Sequence, residues 1–482
     1  MPVNTPRQEY TLYTRVWKRL RDCFGGRDNI IAAGELYTPV LPGADRAGNQ
    51  TYLTRGNWFG ALRRTVIGLT GGIFQKDPIF EVPVSDKKWL EDVTLTGTKM
   101  SSFALTATEE VLLMARYGVL VDMAEEEQTS DYRPYIIGFK TENIVNWTTT
   151  TLAGDQVLTL LVLRETIQVP TFEDPFQYEG VDQFRECRLV FPEEEEAKPT
   201  YVQQLWRQEN ISKEWMRYGP PKIALRRGEP LTFIPFVFLG PTQPNAILTQ
   251  PPLLDLADIN LAHWRNSCDH EQGLHIVAAP TPYVSGMKRG DGDTSKVNIG
   301  PSTVWLLDKD GKAGMVEFTG AGLNALVVAM DVKQRQMAVV GAKLLEEQAS
   351  TSETATAVLT RHAGEHATLR TIASSVEQGF EMVLQIMSWW MGIEEKPADI
   401  PIHVEFNKAF VSVKAKPEEI KVALTALQSE EISFATFWEI MVEGGWAREG
   451  ITAEEERQEI ARQAPVGVEE PEEEPVELVE GV

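Results

Sequence analysis

PPLLDLADINLAHWRNSCDHEQGLHIVAAPTPYVSG, residues 251–286, is the stretch on which the reading of this chain turns. Pro252 stands where proline opens a helix, because its missing N–H is not needed at the first helical position. Leu253, Ala257, Leu261, Trp264 and Cys268 then recur at helical spacing, and the run ends near Gly273. Residues 275–318 return to strands and turns: HIVAAPTPYVSG, a polar GDGDTSK loop, then TVWLLDKDGKAGMVEF. Asp310-Gly311 in the last of these predicts a hairpin turn between two strands. A second helix is expected over about 321–346, roughly 39 Å long, and a third from a capping box at Ser350 and Glu353 to Met391, roughly 60 Å. Between the two lies a polar patch, QASTS (348–352).

Upstream, Leu12, Val16, Leu20 and Phe24 place a short basic helix over 8–24, closed by Gly25-Gly26. Its Arg15, Lys18, Arg19 and Arg21 read as a solvated face. A helix starting near Asn57 carries Trp58, Leu62, Val66 and Leu69 and stops at Gly71-Gly72; another spans about 103–115, followed by a buried strand, RYGVLVD (116–122). From about 135 to 240 the period changes from 3.6 to 2. VLTLLVLRETIQVP (157–170), FRECRLVFP (184–192) and TYVQQLWRQE (200–209) read as strands, with PEEEEAKP (192–199) as an exposed hairpin tip. IPFVFLG (234–240) closes the region. Downstream, HVEF supplies one more strand within 397–413, and three short helices occupy about 417–463, the last opened by the capping box Thr452-Ala-Glu-Glu455. The final stretch, APVGVEEPEEEPVELVEGV, holds seven glutamates and no basic residue, which predicts a disordered tail. The fold class expected from this alternation is α+β.

Lys and Arg number 46 against 70 Asp and Glu in 482 residues, a formal charge of −24. Tight phosphate contact needs clustered cations, so a conventional nucleic-acid binder is excluded. The acidity belongs to the body, since the chain keeps −17 without its tail. Three scattered cysteines, Cys23, Cys187 and Cys268, fit neither a disulfide framework nor a metal knuckle and point to a reducing compartment. No apolar leader or stretch of 18 apolar residues is present, so secretion, membrane spanning and a role for the sequons at Asn146 and Asn210 are not expected.

The sharpest chemical motif is His362-Ala-Gly-Glu365-His366. Histidines four apart share a helical face and can grip one zinc ion, with the glutamate activating water. Glu377 and Glu381 begin 11 residues further along the same helix, roughly 16 Å away, and cannot close that site. The two histidines therefore read as part of the stripe Ala355, Leu359, Leu369, Ile372 and Val376, with a zinc hydrolase as the competing reading. His263, Cys268, His270 and His275 do not stack on one face. Asp291-Gly-Asp293 lacks the twelfth-position glutamate of a calcium loop, where Ser302 stands. No phosphate-binding glycine motif follows a strand. No catalytic residue, metal or cofactor is expected. Helices of this length with wide apolar faces want neighbours, which favours self-assembly into a ring or bundle.

With these pieces in order, the chain resembles the bacteriophage portal proteins, and more narrowly a portal-like family catalogued as a domain of unknown function. The resemblance runs from about residue 30 to 463 through RTVIGLTGGIFQKDP (64–78), RYGVLVD, RPYIIGF (133–139), NIVNW (143–147), IPFVFLG, residues 251–275, PTPYVSG (280–286) and SETATAV (352–358). It implies a dodecameric ring at one capsid vertex, through which double-stranded DNA passes without sequence-specific binding. The order implied is an N-terminal segment (1–50), wing (51–250), stem helix (251–274), clip (275–318), stem helix (319–347), tunnel loop (348–352), long wing helix and closing strand (353–413), crown (414–463) and acidic tail (464–482). The major capsid protein and scaffold would surround the ring. The terminase large subunit, then head–tail adaptor and tail proteins, would dock on the clip through Lys288, Arg289, Asp291, Asp293 and Lys296. Glu346, Glu347, Gln348, Ser350, Thr351, Ser352 and Glu353 would form the tunnel loop. The protein would fold in the bacterial cytoplasm and reside in the virion, with no membrane partner. Twelve copies at −24 each carry −288, a charge to which DNA does not stick. Lys333, Arg335 and Lys343 are candidates for transient contact with DNA in the lumen or for salt bridges between subunits. The compact crown departs from the larger portals and implies no long helical barrel.

Overall fold

The computed structural model describes residues 2–40, 43, 45–124, 132–152, 154–171, 174, 176–193, 198–209, 213–279, 281–287, 307–316, 320–342, 355–394, 396–408, 417–429, 431–443, 446–447 and 451–463; the side chains of 84–86, 281, 287, 342, 355–367, 417–419, 443, 461 and 463 are not described. The chain is an α+β protein in two compact units, Met1–Lys408 and Ala409–Val482.

The first unit opens with α1 (Gln8–Gly25), α2 (Arg27–Ala33), α3 (Arg46–Arg55), α4 (Ala61–Ile73), the short strand β1 (Ile79–Glu81) and α5 (Met100–Met114). The apolar spacing of α1 buries Trp17 and Leu20, and Gly26 at φ 92° turns the chain where an L side chain would be strained. Helix α4 starts at Ala61, four residues after the expected position, because Asn57 is held in a loop by its amide donating to Ser267 Oγ at 2.8 Å.

Strands β2 (Tyr117–Met123) and β3 (Pro134–Lys140) lead into an antiparallel meander of β4 (Ile144–Leu152), β5 (Asp155–Pro170), β6 (Tyr178–Val190), β7 (Thr200–Gln208) and β8 (Trp215–Ile223). The pair β9 (Leu225–Arg226) and β10 (Glu229–Pro230) follows, then β11 (Phe236–Leu239), which returns to form a three-stranded sheet in the order β11-β2-β3. The meander's inner face buries Cys187, Leu189 and Tyr201, with Arg185 ion-paired to Glu165 at 2.7 Å and Asp122 at 3.5 Å.

Next come α6 (Leu254–Val277), β12 (Thr281–Met287), β13 (Leu307–Val316), α7 (Leu323–Met337), α8 (Ala355–Trp390) and β14 (His403–Glu405). The helix α8 crosses the three-stranded sheet, and Gly379 is required there: a Cβ would stand 2.1 Å from Leu239 Cδ2. Phe103, Phe380 and Phe406 meet edge to face beside it, which adds aromatic contact to the burial. Strand β14 pairs with β1, and α8 holds it in place: Glu377 accepts from the Phe406 amide at 2.6 Å and Glu381 from the Val404 amide at 3.1 Å. The two carboxylates nearest to serving as a third zinc ligand are thus engaged with β14.

The second unit contains α9 (Pro417–Gln428), α10 (Phe434–Glu443) and α11 (Ala453–Gln463). The capping box is formed: Glu455 accepts from the Thr452 amide at 2.9 Å, and Thr452 Oγ1 accepts from the Glu455 amide at 3.3 Å.

Candidate functional site

The most distinctive region is the helix pair α6 and α7 with the two-stranded excursion between them. The first part of α6 is locked into the body. Leu256, Ala257, Asn260, Leu261, Trp264, Ser267 and Cys268 are all buried. Trp264 Nε1 donates to Thr38 Oγ1 at 3.1 Å, Arg265 Nε to the Tyr37 carbonyl at 2.7 Å, and Tyr52 donates to Asp269 Oδ1 at 2.7 Å. Gly56 lets a loop pass over Trp264 and Cys268, where a Cβ would stand 2.4 Å from Sγ. Burial pushes the Cys268 thiol up to about 12, so it is an inert packing group. Beyond these anchors Leu274 and Ile276 are exposed.

Helix α7 runs antiparallel to α6. Gly273 faces Leu323, His263 faces Gln334, and Leu256 faces Gly341. Gly273 and Gly341 permit this approach, since a Cβ at either would lie under 3 Å from the opposing leucine. His263 is buried, shares a 3.1 Å hydrogen bond between its Nε2 and Gln334 Nε2, and has its pKa lowered by burial and then by Lys333, with Asp331 opposing. It is a packing histidine. The last turn becomes a π-helix over Ala338–Ala342, where Gly341 also meets Thr65 of α4.

The outer surface of α7 carries exposed valines beside Asp331, Arg335 and Gln336. Val328, Val332 and Val339 are 53%, 43% and 57% exposed, on a face shared by Val340. Val332, Arg335, Gln336, Val339 and Val340 join Ile259 of α6 in an open groove of about 500 Å³. At the other end, β12 and β13 pair as a two-stranded ribbon among the described residues, registered from Thr281↔Val316 to Ser285↔Lys312, with a bulge before Met287↔Leu307. Tyr283, Met315 and Val316 are exposed on it.

Residues 252–391 match the family described as a domain of unknown function, DUF4055. The matched segment begins just before α6 and ends one residue after α8. No curated protein matches the chain. Among solved structures, a chain of the virion of a native gene transfer agent particle is 12% identical, with 86% of this chain and 98% of that chain covered at a TM-score of 0.38. A chain from the neck of an empty gene transfer agent particle is 10% identical, with coverages of 84% and 95% and a TM-score of 0.39. At those values no residue's role passes from either chain to this one.

Two expectations for this region are corrected. Asp310-Gly311 is not a turn but lies inside β13, opposite the bulge: a Cβ on Gly286, at φ 67°, would stand 2.8 Å from Gly311 Cα. The glycine serves a close crossing of two backbones, the other use that strands make of this residue. His275 lies within α6, which continues to Val277 past Gly273, so the excursion starts at Thr281. Lys288, Arg289, Asp291, Asp293 and Lys296 lie outside the described residues, as do Lys343, the 346–353 set and the tail. His362, Glu365 and His366 lie on the α8 backbone, and their side chains are among those not described. Lys333 is half-buried beside His263 and Arg335 is exposed in the groove; two positions apart, they are about 200° apart around the axis and form no single patch. Among the described residues no group of three His, Cys, Asp or Glu could hold a metal, and no helix is long and apolar enough to cross a membrane. The valine face of α7 was legible as a run of apolar residues, but which of them α6 covers was not.

Proposed function

We propose that the chain is a portal-type subunit of a tailed-phage-like particle, a structural conduit without a catalytic centre. The observation that carries this reading is the α6, β12–β13, α7 assembly: a helix pair packed on the body, exposed valines along α7, and a ribbon that among the described residues has two strands. A single chain leaves that face in water, although burying apolar surface is favourable by about 25 cal/mol per Å². Two isolated strands are marginal by themselves. A second copy of this chain, repeated around an axis, covers both features. A face that meets a different face on its neighbour closes into a ring when the rotation closes.

The full assignment rests also on the resemblance of the sequence to portal proteins. In it, twelve copies form the ring at a capsid vertex, DNA passes inward during packaging and outward during ejection, and terminase and then adaptor and tail proteins dock on the excursion. The net charge of −24 per copy supports passage without adhesion. Native mass spectrometry of the full-length protein tests the proposal. A ring near 648 kDa, twelve times 54.0 kDa, is the expected species. A monomer carrying one zinc ion, insensitive to concentration, would overturn it in favour of a hydrolase at His362, Glu365 and His366.

A further inference from the structure

Arg116 is the most unusual charged residue of the molecule. It immediately precedes β2, is 2% exposed, and its Nε, Nη1 and Nη2 atoms are all buried without a hydrogen-bond partner. Its guanidinium is held between two rings, 4.0 Å from the centroid of Trp147 and 4.3 Å from that of Phe238. At those distances a cation gains from the quadrupole of each ring. The five N–H donors lie in the plane, which the rings leave unserved.

A second orphan stands beside it. The β2–β3 ladder ends at Tyr117↔Lys140, and Arg116 and Thr141 are the next residue of each strand beyond that pair. Thr141 is fully buried, and its Oγ1 also has no partner. Two adjacent hydrogen-bond donors without acceptors are rare in a folded protein and call for an explanation.

The charge balance says which ligand would serve both. Burial, then the nearby Arg7, lower the Arg116 pKa to about 9, so it remains a cation at neutral pH. No carboxylate contributes to that shift. Arg7, which faces Trp147 from 5.0 Å, is already committed to Glu9 at 2.8 Å. A buried cation whose charged neighbour is another cation needs an anion rather than a neutral acceptor. Phe238, whose ring lies 4.3 Å from the guanidinium, also lines a cavity of about 500 Å³ between the β4–β5 hairpin, β11 and the 244–247 loop, which Arg116 itself does not line. The enclosure of the guanidinium restricts the ligand to a single small ion.

We propose that Arg116 and Thr141 bind a monovalent halide, chloride under physiological conditions, in the plane of the guanidinium. The ion ties the start of β2 to the turn that follows β3 and belongs to the folding of the first unit, independently of whether the chain forms a ring.

The test is urea unfolding of the full chain at constant ionic strength, with sodium gluconate replaced stepwise by sodium chloride. The folded-to-unfolded ratio rises about tenfold for each tenfold increase in chloride above the dissociation constant, as for any ligand of the native state. Arg116→Met, which fills the space between the rings without charge, abolishes the response, and Thr141→Val weakens it. Bromide-soaked wild-type crystals serve even if Arg116→Met does not fold: the anomalous peak lies in the Arg116 plane. A wild-type ratio indifferent to chloride, or bromide bound elsewhere and absent from that plane, overturns the proposal.

Discussion

Asn260 offers a direct measure of how firmly α6 is built into the body. The residue before α4 is Gly60, which has no side chain with which to cap the first turn; the Ala61 amide donates to the Phe59 carbonyl at 2.7 Å, and the Leu62 amide needs an acceptor from elsewhere. Asn260, fully buried on α6, supplies the cap from a distant part of the chain. Its Oδ1 accepts from the Leu62 amide at 3.4 Å, and its Nδ2 donates to the Phe59 carbonyl at 2.7 Å. Asn260→Leu preserves approximate volume and removes both bonds. A hydrogen bond of this kind contributes about 1 kcal/mol, and a stranded buried partner adds about 1–3 kcal/mol. The 3.4 Å contact is long and counts for less, so the expected loss is about 2–4 kcal/mol. Urea unfolding followed by tryptophan emission reads it, with Trp264 one turn further along the same helix. A loss below about 1 kcal/mol would refute the claim that α4 depends on α6 for its start.

Three further outcomes follow from the same geometry. Paired Val328→Asp and Val332→Asp changes abolish the proposed ring in native mass spectrometry while leaving the far-ultraviolet circular dichroism of the chain unchanged, because both side chains are solvent-exposed in one copy. Arg226→Ala removes donors to the Trp389 carbonyl at 2.7 Å and the Glu394 carbonyl at 2.5 Å, together with the stack on Trp389 at the end of α8; it lowers stability by about 1–3 kcal/mol in urea unfolding. His263 has a pKa lowered on folding, so the unfolded chain binds the extra proton first. Its contribution is present above the unfolded pKa near 6.5 and is lost as pH falls from there towards the folded value; the urea midpoint drops over that range, and His263→Gln flattens the slope.

Periodicity made much of this fold legible. The helices α1 and α5 and the strands β5, β6 and β7 fall close to where their apolar spacing places them, and β2, a continuous apolar run, is buried on both faces. The strand β8 gave no such signal. It holds Pro220-Pro221 and is exposed along nearly its whole length, which is possible only for an edge strand. The strand β1 is three residues long and exists through its partner β14, which itself falls in the HVEF run read as a strand. Helix α3 buries only Asn49, Tyr52 and Leu53, too few for a stripe. At the candidate assembly surface the residue types were visible but not their distribution, since Gly273, His263 and Gly341 decide which side of α7 meets α6. Arg116 carried a faint mark, a cation heading a strand that reads as wholly buried. Its ring sandwich depends on Trp147 and Phe238, residues that only tertiary folding brings to it.

The helix α6 is attached along most of its length. Its contacts with the body run from Leu256 to Gln272, which accepts from Arg55 Nη1, and only its last five residues, about 8 Å of helix, extend beyond them toward the β12–β13 ribbon. The ribbon therefore leaves the body on a short stalk, and its setting follows the angle at which Asn260, Trp264 and Ser267 hold the helix.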